Sequence, residues 1–208
     1  GIRTLPIRLG ENGESIVAPL SETPRRAAAA FAADSRDEFF DDFIGSRLDA
    51  VKWIVTGGRY RIGDSALRLA NGWHDRVTSL RNFSPGRTLE ARLHFSSGGG
   101  YQKVGFFTQD ILPLNGLLFD TIEYDATRSF NVRDDEMTAV VWVNGEMKYY
   151  PFKIKKDREH TVRIEWKTSG AGFLVDGKEV VRVDRAPSVA CPVSVYNDRA
   201  KDYYVDWV

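Results

Sequence analysis

A chain of 208 residues, 42% of them apolar, carries enough hydrophobic material for one substantial core, and its 29 basic and 29 acidic side chains cancel. That balance excludes a whole-molecule field able to draw nucleic acid or an anionic membrane. The single cysteine, Cys191, excludes an intramolecular disulfide and any paired-cysteine metal or redox motif, and no apolar run approaches the roughly 18 to 20 residues that span a bilayer.

Residues 1–36 read as an arm or linker, and residues 37–208 as one β-sandwich. In the arm, Ile2–Leu9 and Ser15–Leu20 are strand-like runs joined by Gly10-Glu11-Asn12-Gly13-Glu14, which has hairpin turn chemistry. Pro6 and Pro19 cannot donate ladder hydrogen bonds, so such strands belong at an edge or against another molecule. Arg25–Asp34 has both the helix propensity for one or two turns and the composition of a linker. Arg25-Arg26 followed by Ala27–Ala33 is too short and too weakly apolar for a signal-peptide core, so a signal peptide, if the protein has one, is expected to be gone from this chain.

From Phe39 onward, short aromatic and β-branched runs are separated by Gly, Asn, Asp and Pro, the pattern of an all-β sandwich. Strands are predicted over Phe39–Phe43, Lys52–Thr56, Ala66–Ala70, Val77–Asn82, Thr88–Ser96, Gln102–Thr108, Leu117–Tyr124 and Ser129–Val132. They continue over Thr138–Val143, Met147–Phe152, His160–Thr168, Gly172–Val175, Glu179–Val183, Pro192–Tyr196 and Tyr203–Val208. So many short strands imply two sheets. Leu89, Ala91, Leu93 and Phe95 alternate with Thr88, Glu90, Arg92 and His94, and Val162, Ile164 and Trp166 alternate with Arg163, Glu165 and Lys167. Each strand therefore has a core face and a polar face. Val175-Asp176-Gly177-Lys178 has the Asp-Gly pair suited to a type I′ hairpin turn.

Several segments, taken in order, resemble the concanavalin A-like lectin/glucanase superfamily, which includes the family 16 glycoside hydrolases. They are Phe40-Asp41-Asp42-Phe43 with Leu48-Asp49 and Trp53, then Arg87-Thr88-Leu89-Glu90-Ala91-Arg92 and Gln102-Lys103-Val104-Gly105-Phe106. His160–Trp166, Val175-Asp176-Gly177 and Val205-Asp206-Trp207-Val208 complete the set. The resemblance spans about residues 39 to 208 and implies a two-sheet antiparallel jelly roll, to which the composition adds an extended N-terminal arm. It says little about chemistry.

Retaining hydrolysis on this fold needs two carboxyl groups about 5 to 5.5 Å apart, one as nucleophile and one as acid/base. Aligned on the hydrolase motif, Leu117–Tyr124 puts Asp120 at the assisting aspartate and Glu123 at the acid/base, but Leu118 stands where the nucleophile belongs. A leucine cannot form a glycosyl ester, so catalysis is not expected unless another carboxylate such as Glu136 or Asp125 substitutes. The resemblance also implies a structural Ca2+, held by Asp206 of the last strand with backbone carbonyls near the start of the domain. His74, His94 and His160 show no ligand-like spacing, and Ser96-Ser97-Gly98-Gly99-Gly100 lacks the Lys-Ser/Thr of a phosphate loop.

Sugar binding needs an aromatic face and polar groups on a preformed surface. The candidates are Trp73, in the turn-rich Asn71-Gly72-Trp73-His74-Asp75, with Trp142, Tyr149 or Tyr150, Asp120 and Glu123. Each competes with a plainer role, the aromatics as core and the carboxylates as a solvated face. Tyr196-Asn197-Asp198-Arg199 reads either as a further candidate or as a solvated turn. The sequence favours a non-catalytic carbohydrate-binding or adhesion module with a polysaccharide or glycan partner, acting outside the cell or at a surface. The alternatives are an assembly subunit of a filament or virion surface, self-associating by strand addition through residues 1–36, and a divergent glycoside hydrolase.

Overall fold

The computed structural model describes residues 38–70, 72, 74–97, 100–108, 115–121, 135–198 and 203–208, together with the backbone of 8–9, 14–15, 123–124 and 130–131. The strands are β1 (Arg8–Leu9), β2 (Glu14–Ser15), β3 (Trp53–Val55), β4 (Tyr60–Gly63), β5 (Ala66–Leu69), β6 (Asp75–Phe83), β7 (Arg87–Phe95), β8 (Tyr101–Phe107) and β9 (Gly116–Asp120). They continue with β10 (Glu123–Tyr124), β11 (Phe130–Asn131), β12 (Glu136–Val143), β13 (Glu146–Lys153), β14 (Arg158–Lys167), β15 (Gly170–Val175), β16 (Lys178–Val183), β17 (Cys191–Asp198) and β18 (Tyr203–Trp207). No helix occurs among the described residues, and so none there is long and apolar enough to cross a membrane.

Two seven-stranded antiparallel sheets form a sandwich, the first ordered β13-β12-β9-β8-β17-β6-β3 and the second β16-β15-β14-β7-β18-β5-β4. Two small pairs lie apart from them: β10 with β11, and β1 with β2, the latter registering Arg8 on Ser15 within the expected arm hairpin. The outer reaches of that hairpin, the Arg25–Asp34 segment and the arm's proposed role in self-association lie outside the described residues.

The core is built from the alternation expected of the sequence. Leu89, Ala91, Leu93 and Phe95 of β7 and Val162, Ile164 and Trp166 of β14 are buried on the second sheet's inner face. They meet Val104 and Phe106 of β8, Leu117 and Phe119 of β9, and Val193 and Val195 of β17. Rings bridge the sheets, with Phe106 to Trp166 at 5.1 Å and Phe119 edge-on to Phe173 at 5.3 Å. Trp166 donates its indole N–H to the Pro187 carbonyl, so its one polar atom is satisfied inside the core. Cys191 is fully buried, and that burial pushes its thiol up to about 11, consistent with a small apolar core residue.

The predicted Asp176-Gly177 turn is present, with φ of 50° and 76° as type I′ requires. Three strand assignments change. Phe39–Phe43 is irregular, because Asp41 Oδ1 accepts its own chain's Phe43 N–H at 3.0 Å, and Phe43 adopts φ 49°, turning the chain out of a ladder. Leu117–Tyr124 is broken after Asp120. There the Thr121 hydroxyl accepts from Gln102 N–H and donates to the Gly100 carbonyl, tying the strand end to β8. Tyr60–Gly63, masked in the sequence by the glycines around it, pairs with β5 through a turn at Asp64-Ser65, both left-handed.

Asp41 also accepts the Trp53 indole N–H at 2.8 Å, and its backbone exchanges two hydrogen bonds with Val208. The resembling motif at Phe40–Phe43 is thus a clasp between the start and the end of the domain. Asp41→Ala strands two buried donors and is expected to lower the unfolding free energy by about 2–3 kcal/mol, against about 1 kcal/mol for Trp53→Phe, measured by urea denaturation.

Candidate functional site

Positions on the first sheet that alternate with the core point away from the sandwich and form a second, outer face. Register places Thr138, Asp120, Lys103, Tyr196 and Arg76 in one row across β12, β9, β8, β17 and β6. The neighbouring row is Tyr149, Val140, Leu118, Gly105, Ser194 and Thr78. This is the face on which the hydrolase motif would sit.

Its centre is apolar. Phe107, Leu118, Val140, Trp142 and Tyr196 are each no more than 5% exposed and form a cluster separate from the sandwich core, with Tyr101, Met147 and Tyr149 half-buried against it. Leu118 is 1% exposed, so the position that would carry a nucleophile is filled by a packed side chain.

In the polar row beside it, the Thr138 hydroxyl is buried without a hydrogen-bond partner among the described residues, while the charged groups are paired. Asp120 is buried and pairs with Lys103 Nζ at 3.5 Å. Lys103, itself buried, lies over the Tyr101 ring at 5.1 Å and the Tyr196 ring at 5.4 Å. The Tyr196 hydroxyl is 2.6 Å from His74 Nδ1, which is 3.7 Å from the Asp198 carboxylate. Burial, reinforced by the negative charge of Asp198, holds the Tyr196 phenol well above its ordinary pKa, so it stays protonated. His74 sits in the left-handed region at φ 57°.

Of the sequence-predicted residues, Asp120, Trp142 and Tyr149 are brought to this one face. Trp142 is buried in the apolar cluster and offers no open ring, whereas Tyr149 is partly exposed at its rim. Tyr150 points the other way, packing against the sandwich core. Glu123 lies beyond the end of β9, its backbone paired with Asn131. Its side chain, Trp73 and Asp125 lie outside the described residues. Glu136 shares the outer face, its carboxylate 2.6 Å from Lys153 Nζ.

Asp206 faces outward from the second sheet, 3.6 Å from Arg92 Nε. A guanidinium is the wrong neighbour for a dication, and no group of three His, Cys, Asp or Glu side chains suited to a metal occurs among the described residues. The described side chains around Asp206 therefore do not by themselves form a calcium cage.

Sequence reasoning missed Lys103, an ordinary strand residue until register sets it against Asp120. The solvated-turn reading of Tyr196–Asp198 is overturned: these residues end β17 and all three are buried, with Asn197 donating to the Leu69 and Ala70 carbonyls. The β-branched run ahead of Tyr196 carried the signal that the strand goes on.

No protein-family profile and no curated protein matches this sequence. Solved structures do match in fold. A β-1,3-1,4-glucanase (lichenase) from a mouse hindgut metagenome superposes with a TM-score of 0.64 at 14% identity, covering 81% of this chain and 96% of that one. A Bacillus licheniformis β-glucanase gives 0.64 at 11%, covering 81% and 95%. An immunostimulatory antigen and pseudo β-1,3-glucanase of Mycobacterium tuberculosis gives 0.61 at 20%, covering 82% and 96%. The chain is similar to these proteins in fold, the concanavalin A-like jelly roll of the glucanases, and at such identities the likeness extends no further.

At the start of β6 next to this network, Asp75 is completely buried, its Oδ1 accepting the Arg59 N–H at 3.0 Å. A Cβ at Gly58 would fall 1.3 Å from that oxygen and one at Gly72 2.4 Å from it, so both glycines make room for the carboxylate. Burial raises the Asp75 pKa from 3.8 to about 6, with Asp198 adding to the rise. The folded chain then holds this proton more tightly than the unfolded one, so Asp75 removes stability as pH climbs from about 4 to about 6. Asp75→Asn is expected to gain on the parent over that interval, with a constant difference above it, in chemical denaturation across pH 4 to 7.

Proposed function

We propose that this protein binds a β-linked polysaccharide along the outer face of the first sheet and does not hydrolyse it, working outside the cell or at a surface where such polymers occur. The observation that carries the reading is Leu118, packed among Phe107, Val140 and Trp142 at the position where the retaining reaction needs a carboxylate. Asp120, the assisting residue of the motif, is held by Lys103. What the face does offer is a rim of partly exposed groups, Tyr101, Tyr149 and His74, around a rigid centre. Aromatic rings there suit the C–H faces of sugars, and the imidazole suits their hydroxyls. The solved glucanases that share the fold make β-glucans the first ligand class to examine, and the pseudo β-1,3-glucanase is a precedent in name for the fold without the activity.

Calorimetry with lichenan and laminarin, paired with a reducing-end assay, tests this. Binding without release of reducing ends is expected, and Tyr149→Ala is expected to weaken binding by about three- to tenfold with little loss of stability. Release of reducing ends that Glu123→Gln abolishes would instead establish a divergent hydrolase. Absence of binding to either glucan rejects β-glucan as the ligand.

A further inference from the structure

The second sheet has a breach at one end. β14 accompanies β7 along its whole length, from Arg87 to Phe95, but on the other side β18 reaches only Arg92, Leu93 and His94. Along residues 88–91 no strand among the described residues stands on that side. Beside this stretch lies a cavity of about 740 Å³. Phe83, Phe106 and Val193, buried core side chains of the first sheet, line it, and Phe39, Phe40 and Trp207, each only half-buried, stand around them.

None of the lining side chains that is buried is polar. At the rim, Glu90 is already paired with Arg163 at 3.0 Å. A sugar or a charged ligand would leave its polar groups unmet at the floor, so the cavity calls for an apolar occupant. Glu38, just past the arm, is itself part of the rim, so the arm joins the sandwich at this mouth. Between Leu20 and Glu38 the chain has one large apolar side chain, Phe31, set among Ala27, Ala28, Ala29, Ala30, Ala32 and Ala33. The seven residue steps from Phe31 to Glu38 span roughly 10 Å as helix and at most roughly 25 Å extended, so in either form the ring can reach the cavity.

We propose that this cavity is the anchor site of the chain's own arm and takes the Phe31 ring against Phe39, Phe40 and Trp207. A phenyl ring among alanines has no apolar neighbour of its own size within the segment, and a hole reaching the core has no side chain to fill it, so one contact removes both exposures from water. Aromatic walls suit a further ring through edge-to-face packing, and the flanking alanines are small enough to let the backbone come close to them. The cavity shares no residue with the outer face of the first sheet, so the inference is independent of polysaccharide binding there.

The test uses the full chain and its variants, followed by thermal melting, by fluorescence of the apolar dye 8-anilinonaphthalene-1-sulfonate, and by light scattering over a dilution series. Phe31→Ser is expected to open the cavity, raising dye fluorescence several-fold and lowering the thermal midpoint by about 2–4 °C. Phe31→Leu is expected to keep most of both properties, since it leaves an apolar side chain of similar reach. In a Trp207→Ala background the further loss on Phe31→Ser is expected to shrink, because the two side chains share one contact. Leu20→Ser, an apolar change in the arm away from the anchor, is expected to alter neither readout, and the parent to stay monomeric at every concentration. An unchanged midpoint and dye signal in Phe31→Ser, or an equal response to Leu20→Ser, overturns the proposal. So does dye binding by the parent equal to that of Phe31→Ser, which gives the cavity to an external apolar ligand. Assembly of the parent that Phe31→Ser abolishes overturns it as well, because the occupant is then the arm of a second copy.

Discussion

In the middle of the first sheet, β8 and β9 approach so closely at Gly105 that a Cβ there would lie 2.2 Å from the Leu117 carbonyl oxygen and 2.5 Å from Leu118 Cα. Because the obstacles are backbone atoms, no rotamer change could relieve the contact. The outer surface above Gly105 is left to its cross-strand neighbour, and Leu118, with its own Cβ 2.7 Å from that point, takes it. Gly116 repeats the device two pairs along, beneath Phe107, where a Cβ would meet the Phe106 carbonyl at 2.9 Å. The apolar cluster on this face therefore begins in the backbone, with two glycines giving up their surface to Leu118 and Phe107.

Around that plug the charged groups are arranged as a linear series of partners. Lys103 answers Asp120 and rests on two phenol rings, and Tyr196 connects onward to His74 and Asp198. Buried charges tolerate such a position only when paired, so the row is stiff, and its polar atoms face one another before they face a ligand. For the proposed sugar binding, such a row leaves recognition to the rim, where a ligand need not displace internal partners. The same pairing holds the Asp120 carboxyl against Lys103, whereas general acid-base chemistry needs a carboxyl free to gain and lose a proton.

The sandwich was legible because its signals are local. Alternation along β7 and β14 and the Asp176-Gly177 turn survive any tertiary context, and the ordered motifs from Phe40 to Val208 named the fold. The sequence reading failed where a side chain outbid the ladder, as at Asp41 and Thr121, and where glycines hid the strand Tyr60–Gly63. The candidate site was half legible. Leu118 and Asp120 share a face by simple alternation, but the Lys103–Asp120 pair and the burial of Trp142 depend on register between strands distant in sequence. No periodicity reports that register.

The exchange of hydrogen bonds between Asp41 and Val208 has a consequence for modularity. Asp41 and Val208 stand side by side, so the stretch of chain between them, which holds both seven-stranded sheets, is topologically close to a ring. Such a unit can be spliced into a surface loop of a host protein without stretching the host, or reopened at an exposed turn such as Asn144-Gly145 with its old ends fused. The same clasp that closes the core would make this jelly roll a portable cassette.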